Sequence, residues 1–273
     1  MAVVDIGVRG PEVQTPVGPS MGRRILRNRW VARLIVWGLL ILGWELAARA
    51  KGPLFLPTPY ATLRGIGKIA SEGYVPTIAR SLRQLFTGYL LAVIVGVPLG
   101  LLMGSIRAVD DFFAPYVNTL FIVSKEALLP LFIIVFGTRF TFRVAVVFLF
   151  AIFFIVMNTA AGVRSVDPRL VETARAFRVP RWQIFTKVVL PGSLAFVIAG
   201  LRLGLSTAIK GMVIAEIWVT VGIGLLLQNF GNFLRMDLFF ALATIIITIG
   251  VISTSLLRLL ENRLRPWTRM PEA

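Results

Sequence analysis

The chain has 273 residues, 57% hydrophobic and only 15% charged, with a formal net charge of +16 and neither Cys nor His. Too few polar residues exist to cover a soluble domain of this length, so the composition places the chain in a membrane. Without Cys and His, disulfides, thiolate chemistry and most zinc sites are excluded. The basic residues gather in short loops between apolar runs, which is the pattern of membrane insertion and not of nucleic-acid binding.

Residues 1–29 are Pro/Gly-rich and without periodicity, and are predicted to be a disordered cytoplasmic tail. No secretory signal pattern precedes the first span. Arg23, Arg24, Arg27, Arg29 and Arg33 should hold this end inside. Residues 30–76 then supply a first transmembrane helix over 30–50 and an outer surface segment. Trp30, Trp37 and Trp44 recur every seven residues along that helix, a stripe suited to packing and interface anchoring. Residues 52–59 are a Pro-rich outer loop, and 62–81 are weakly amphipathic, predicted to lie along the outer surface.

The core of the chain, residues 77–261, holds the remaining spans. The second covers 82–103 and carries Gly88, Gly96 and Gly100, with Gly104 just beyond, which allow close helix approach. The third, 112–136, is interrupted by Lys125, Glu126 and Pro130. The fourth covers 141–163, the fifth 193–219 and the sixth 238–260, with 220–237 read as an outer loop. Residues 262–273 are a cytoplasmic tail. This is an all-α integral membrane protein of about six transmembrane helices. With this topology 17 Lys and Arg fall inside and 9 outside, so both termini are expected in the cytoplasm. The outer stretch 49–83 is more basic than the rule prefers.

Between spans four and five lies a polar, basic island, residues 167–191. Such a segment must sit outside the hydrocarbon, yet its pattern is helical. Asp167 can cap a helix and Pro168 suits its first position. Leu170, Ala174 and Phe177 then fall at i, i+4 and i+7 on one face. Pro180 begins a second short helix with Trp182 and Phe185 three apart. A helical pair with an apolar face at the membrane surface suits docking to another protein.

This island resembles the EAA cytoplasmic loop of ABC-importer permeases: Glu172-Thr173-Ala174 stands for E-A-A, and Val188-Val189-Leu190-Pro191 for its apolar-x-Leu-Pro ending. Asn158 to Asp167, Ala199-Gly200-Leu201-Arg202, Leu56-Pro57-Thr58-Pro59 and Gly96-Val97-Pro98-Leu99-Gly100 are similar to the nitrate/sulfonate/taurine branch. The likeness spans roughly residues 53–266. Arg178 stands where the pattern has Gly, and Ser124 where the branch often has Pro. A left-handed conformation costs an Arg about 1 kcal/mol.

The resemblance implies the type I importer permease fold in the prokaryotic inner membrane, with a cytoplasmic coupling helix between spans four and five. It implies an ATPase-coupling set of Leu170, Glu172, Thr173, Ala174, Phe177, Arg178 and Pro191. Its partners would be an ABC ATPase dimer, a second permease copy in a homodimer, an extracytoplasmic substrate-binding protein and membrane lipid, without nucleic acid. ATP and magnesium would be bound by the ATPase, leaving this chain no cofactor or metal of its own. From the residues themselves, a carboxylate at Glu172 in the first turns of a helix suits the helix dipole and can accept an Arg fork.

No phosphate-cradling loop exists: Gly65-Ile66-Gly67-Lys68 lacks the spacing. No nucleophile elbow or His-based triad is available either, so the chain reads as no enzyme. The informative charges lie inside spans: Glu45, Lys125, Glu126, Arg202, Lys210 and Glu216. Each must face the bundle, a partner or water. Lys125, Glu126, Arg202, Lys210 and Glu216 are the candidates for the translocation path; the other reading is buried ion pairing. Arg202 and Lys210 lie about 80° apart around one helix, whereas Glu216 is about 240° beyond Lys210 and cannot pair with it there. Lys125, Arg202 and Lys210, against Glu45, Glu126 and Glu216, favour an anion in the path, and the resemblance implies a small solute of the nitrate, sulfonate or taurine type. The alternative is an autonomous secondary transporter or channel, which predicts inverted repeats; none is evident between the halves.

Overall fold

The structure, a computed structural model, describes residues 29–52 and 54–264. The tail with Arg23, Arg24 and Arg27, and the last residues with Arg265 and Arg269, lie outside them. Every regular element described is helical. In order these are α1 (Arg29–Lys51), α2 (Pro59–Ser71), α3 (Val75–Ser105), α4 (Arg107–Ile122), α5 (Leu129–Phe136), α6 (Phe140–Arg164), α7 (Pro168–Ala176), α8 (Arg181–Ile184), α9 (Leu190–Trp218), α10 (Gly222–Asn232) and α11 (Met236–Leu264). A 3-10 turn, Lys125–Leu128, links α4 to α5, and a π-helical turn, Phe185–Val189, links α8 to α9.

Four of these runs are long and apolar enough to cross a membrane: α3, α6, the continuous Arg181–Trp218 and α11. α4 and the Lys125–Phe136 segment pass the same test together, bent by 98° at their break, and count as a fifth if the pair forms one span. α1, expected as the first span, is a helix of 23 residues, about 34 Å long at 1.5 Å per residue.

α6 is apolar on every side, as a helix in the middle of a bundle must be. It is gripped between α3 and α9, and small residues set how closely. A Cβ on Gly100 of α3 would lie 2.6 Å from the Thr159 Cβ, and one on Gly104 2.5 Å from the Val163 Cβ. From the other side, a Cβ on Gly204 of α9 would lie 2.8 Å from the Ile155 Cγ1. Backbone-to-backbone approach of this kind supplies dispersion contact where lipid offers no hydrophobic gain.

Two expected segments differ. The outer surface segment expected over 62–81 is split between two helices. Thr58 Oγ1 accepts from the Ala61 N–H at 3.2 Å to start α2, and Gly73, at φ 81°, turns the chain before α3 begins at Val75. α3 begins early because Pro76 occupies its second position, where a missing N–H is harmless. The expected loop 220–237 contains α10, whose Ile223, Leu226, Leu227 and Phe230 repeat at helical spacing. α2 is pinned to α11 by Lys68–Asp237 at 2.7 Å, and to the turn before it by Arg235–Glu72 at 3.0 Å. Trp44 of the predicted stripe donates its Nε1–H to the Pro57 carbonyl at 3.0 Å, tying α1 to the Pro-rich loop.

Candidate functional site

The hairpin between α6 and α9 builds as its residues require. Asp167 Oδ1 accepts from the Arg169 N–H at 2.9 Å and Pro168 opens α7. The helix stops at Arg178, which takes the left-handed φ of 55°. Two bonds close the turn: Val179 N–H to the Ala174 carbonyl at 3.1 Å and Arg178 N–H to the Arg175 carbonyl at 2.9 Å. This is the helix-ending arrangement that Gly normally serves, here held by an Arg. After Pro180, α8 does not stand alone. The Leu190 N–H reaches back five residues to the Phe185 carbonyl, a widened turn, and the chain continues unbroken to Trp218. The widening has a cause in the sequence: Pro191 lacks a donor and its ring crowds the carbonyl one turn before it.

Leu170, Thr173, Ala174 and Phe177 of α7 come together as one wall of an open cleft of about 680 Å³, with Lys187 and Pro191 on the other. Phe177 is 79% exposed and Trp182 72%. Glu172 and Arg178 are exposed outside this cleft. Glu172 is the fifth residue of α7, and no acidic residue falls in its first turn. The expected dipole contribution at Glu172 is therefore small, since that effect fades within the first turn. Beside the hairpin, Arg164 at the end of α6 pairs with Asp110 of α4 at 2.5 Å, a partly exposed clasp.

The five span charges do not form one site. Val123 and Ser124 are extended, which breaks the third span even though Ser124 stands where the branch often has Pro. Lys125 Nζ folds back to donate to the Phe121 carbonyl at 3.2 Å, satisfying an end of α4, and lies 5.4 to 6.0 Å from the rings of Phe121, Phe153 and Phe154. Lys125, Glu126 and Lys210 share a cleft of about 290 Å³ with Phe154 and Thr207. Lys210 is exposed and makes no ion pair among the described residues. Arg202 is half-buried two turns further toward the hairpin and does not line this cleft. Glu45 pairs with Arg49 at 2.8 Å along α1.

Glu216 lies at the far end of α9, only 1% exposed. Its carboxylate accepts from the Ser81 hydroxyl, the Gln84 amide and the Gly224 backbone N–H. The Ser81 oxygen in turn accepts from the Ile223 N–H at 3.2 Å. One carboxylate thus ties α3 and α9 to the start of α10 and supplies acceptors that a helix start inside the bundle needs. Sequence reasoning misses Ser81 and Gln84. Their only signal is two polar residues, three apart, just where the second apolar run begins.

A bundle of span-length helices with one bent pair, a buried central helix and an exposed hairpin at one end defines an integral-membrane helical protein. The family described as "Binding-protein-dependent transport system inner membrane component" matches residues 96–266, and the chain belongs to it. It is similar to the taurine transport system permease protein TauC of Escherichia coli, 32% identical over 84% of this chain and 86% of that protein. It is also similar to the putative aliphatic sulfonates transport permease protein SsuC of Bacillus subtilis, 29% identical over 88% and 89%. Among solved structures, an amino acid ABC transporter aligns with a TM-score of 0.57 at 19% identity, covering 71% of this chain and 97% of that one. The fold is that of type I ABC importer permeases, and the chain is a permease component of such a transporter.

Proposed function

We propose that two copies of this chain line the path of an ATP-driven importer for a small oxyanion, with the α7 hairpin receiving the motor. The carrying observation is the wall of Leu170, Thr173, Ala174 and Phe177, presented in an open cleft with Phe177 largely exposed. An apolar helix face left uncovered beyond the membrane calls for a protein groove to cover it. An ABC ATPase dimer, which holds the ATP and magnesium, docks there. Glu172, outside the cleft and without a side-chain partner among the described residues, accepts an Arg fork from it. Arg178 and Pro191 fix the turn and the exit of the hairpin. ATP-driven closure of the motor tilts the hairpins and switches the path between inward- and outward-facing states.

The hairpin end is cytoplasmic, as are both termini, which the distribution of 17 inner against 9 outer basic residues supports. The far end then meets a soluble binding protein outside the inner membrane. Lys125 and Lys210, sharing a cleft with Glu126, leave the mid-span path locally positive. That, with relatives named for taurine and aliphatic sulfonates, supports a sulfonate-like solute. Ala174→Cys, in a chain with no Cys of its own, should crosslink to the ATPase subunit, and Glu172→Lys should reduce that complex while leaving insertion intact. A thiol at position 174 that reacts only with lipid-phase probes would move the docking face elsewhere.

A further inference from the structure

At the far end of the bundle a third cavity, of about 500 Å³, opens between α3, α6, α9 and α10. Arg80, Arg83 and Arg143 all line it, with Thr77 and Phe140 among them and Glu216 at its wall. None of the three guanidinium groups forms an ion pair among the described residues. Arg80 is held by neutral acceptors, the Pro76 carbonyl at 3.3 Å and the Thr77 hydroxyl at 3.2 Å. Arg83 sits 5.8 Å over the Phe140 ring. Arg143 has its Nε buried with no hydrogen-bond partner. Glu216, whose oxygens accept from Ser81, Gln84 and Gly224, makes no ion pair with any of them, and its single charge leaves three guanidinium groups in excess. Three like charges converging on one recess, one of them with a buried donor unsatisfied, is costly unless an anion completes the arrangement.

We propose that this recess is an oxyanion site, taking a sulfonate or phosphate group on the fork donors of Arg83 and Arg143 with Arg80 at its mouth. The site is separate from the Lys125/Lys210 cleft and lies within one copy of the chain. Placing it on the extracytoplasmic side rests on the proposed topology; its existence does not. Two sources carry the same chemistry: a dissolved sulfonate or sulfate, and the phosphate of an anionic lipid headgroup.

The test uses the purified full-length permease with its ATPase. Sodium ethanesulfonate and sodium sulfate are titrated calorimetrically against a sodium chloride control, and retained phosphatidylglycerol is measured by mass spectrometry. Arg83→Gln, at an exposed position, should weaken binding about tenfold or more, the usual worth of a charged hydrogen bond, and Arg83→Gln/Arg143→Gln should abolish it. Sulfonate or sulfate binding lost in this way assigns the site to solute. Phosphatidylglycerol retained by wild type, not displaced by sulfonate and lost in the arginine variants, assigns it to a headgroup. Absence of both ligands in wild type, or unchanged binding in Arg83→Gln and the double variant, overturns the site. ATPase association, followed in parallel, reports on the hairpin and is independent of this outcome.

Discussion

Glu216 is where a single substitution probes the bundle most sharply. Glu216→Ala would leave the Gln84 amide and the Gly224 N–H without an acceptor, while the buried Ser81 hydroxyl could turn to the Thr77 carbonyl, 3.2 Å away. Each stranded buried donor costs about 1–3 kcal/mol. Against that stands the relief of no longer desolvating a carboxylate that has no cation bonded to it. The net expectation is a loss of about 2–5 kcal/mol. Glu216→Gln keeps one carbonyl acceptor but turns an amide donor toward one of the three, so its loss should be smaller. Thermal unfolding in detergent, followed by the monodisperse fraction on size exclusion, gives the ranking: wild type above Gln above Ala. A cycle combining Ser81→Ala with Glu216→Ala should show coupling of about 1 kcal/mol or more, because the two residues share one bond network. Additive losses, or an Ala variant as stable as wild type, would refute the idea that this carboxylate holds α10 in place.

Gly100→Leu should force α3 away from α6 and cost several degrees of melting temperature, since even a Cβ meets Thr159 at 2.6 Å. Gly67→Ala, with nothing within 4 Å, should be neutral or stabilising in the same assay. Arg178→Gly should relieve the left-handed strain and raise stability by up to about 1 kcal/mol, whereas Arg178→Val should lower it. Lys210→Gln should reduce uptake while basal ATP hydrolysis persists. Lys125→Gln should do the same, keeping a donor for the Phe121 carbonyl so that the bend survives. Unchanged uptake in both would remove the case for a positive path.

Most of the span positions are legible in the sequence, because long apolar runs and their charged boundaries are local signals. So is the apolar face of Leu170, Ala174 and Phe177, a property of helical spacing alone. α10 is not legible as a helix, because Gly222, Gly224 and Gly231 lower its propensity and suggest turns. Two of those glycines answer to tertiary demands instead: Gly222 has φ 64°, and a Cβ on Gly224 would meet the Ile217 nitrogen at 2.5 Å. The side-chain partners of Glu216 lie 132 and 135 residues away, and no spacing rule reaches that far. The same holds for the arginine recess. Arg80 and Arg83 are visible in the sequence only as an excess of positive charge on the outer side, and Arg143 joins them through the packing of α6 beside α3.

Uptake in proteoliposomes tests the coupled-importer reading most directly. The chain is reconstituted alone, then with its ATPase inside and its binding protein outside, and radiolabelled taurine or ethanesulfonate is followed. Accumulation is expected only in the full assembly, only with ATP, and should be lost when the hairpin carries Glu172→Lys. Accumulation by the chain alone under an ion gradient, without ATPase or binding protein, would contradict that reading.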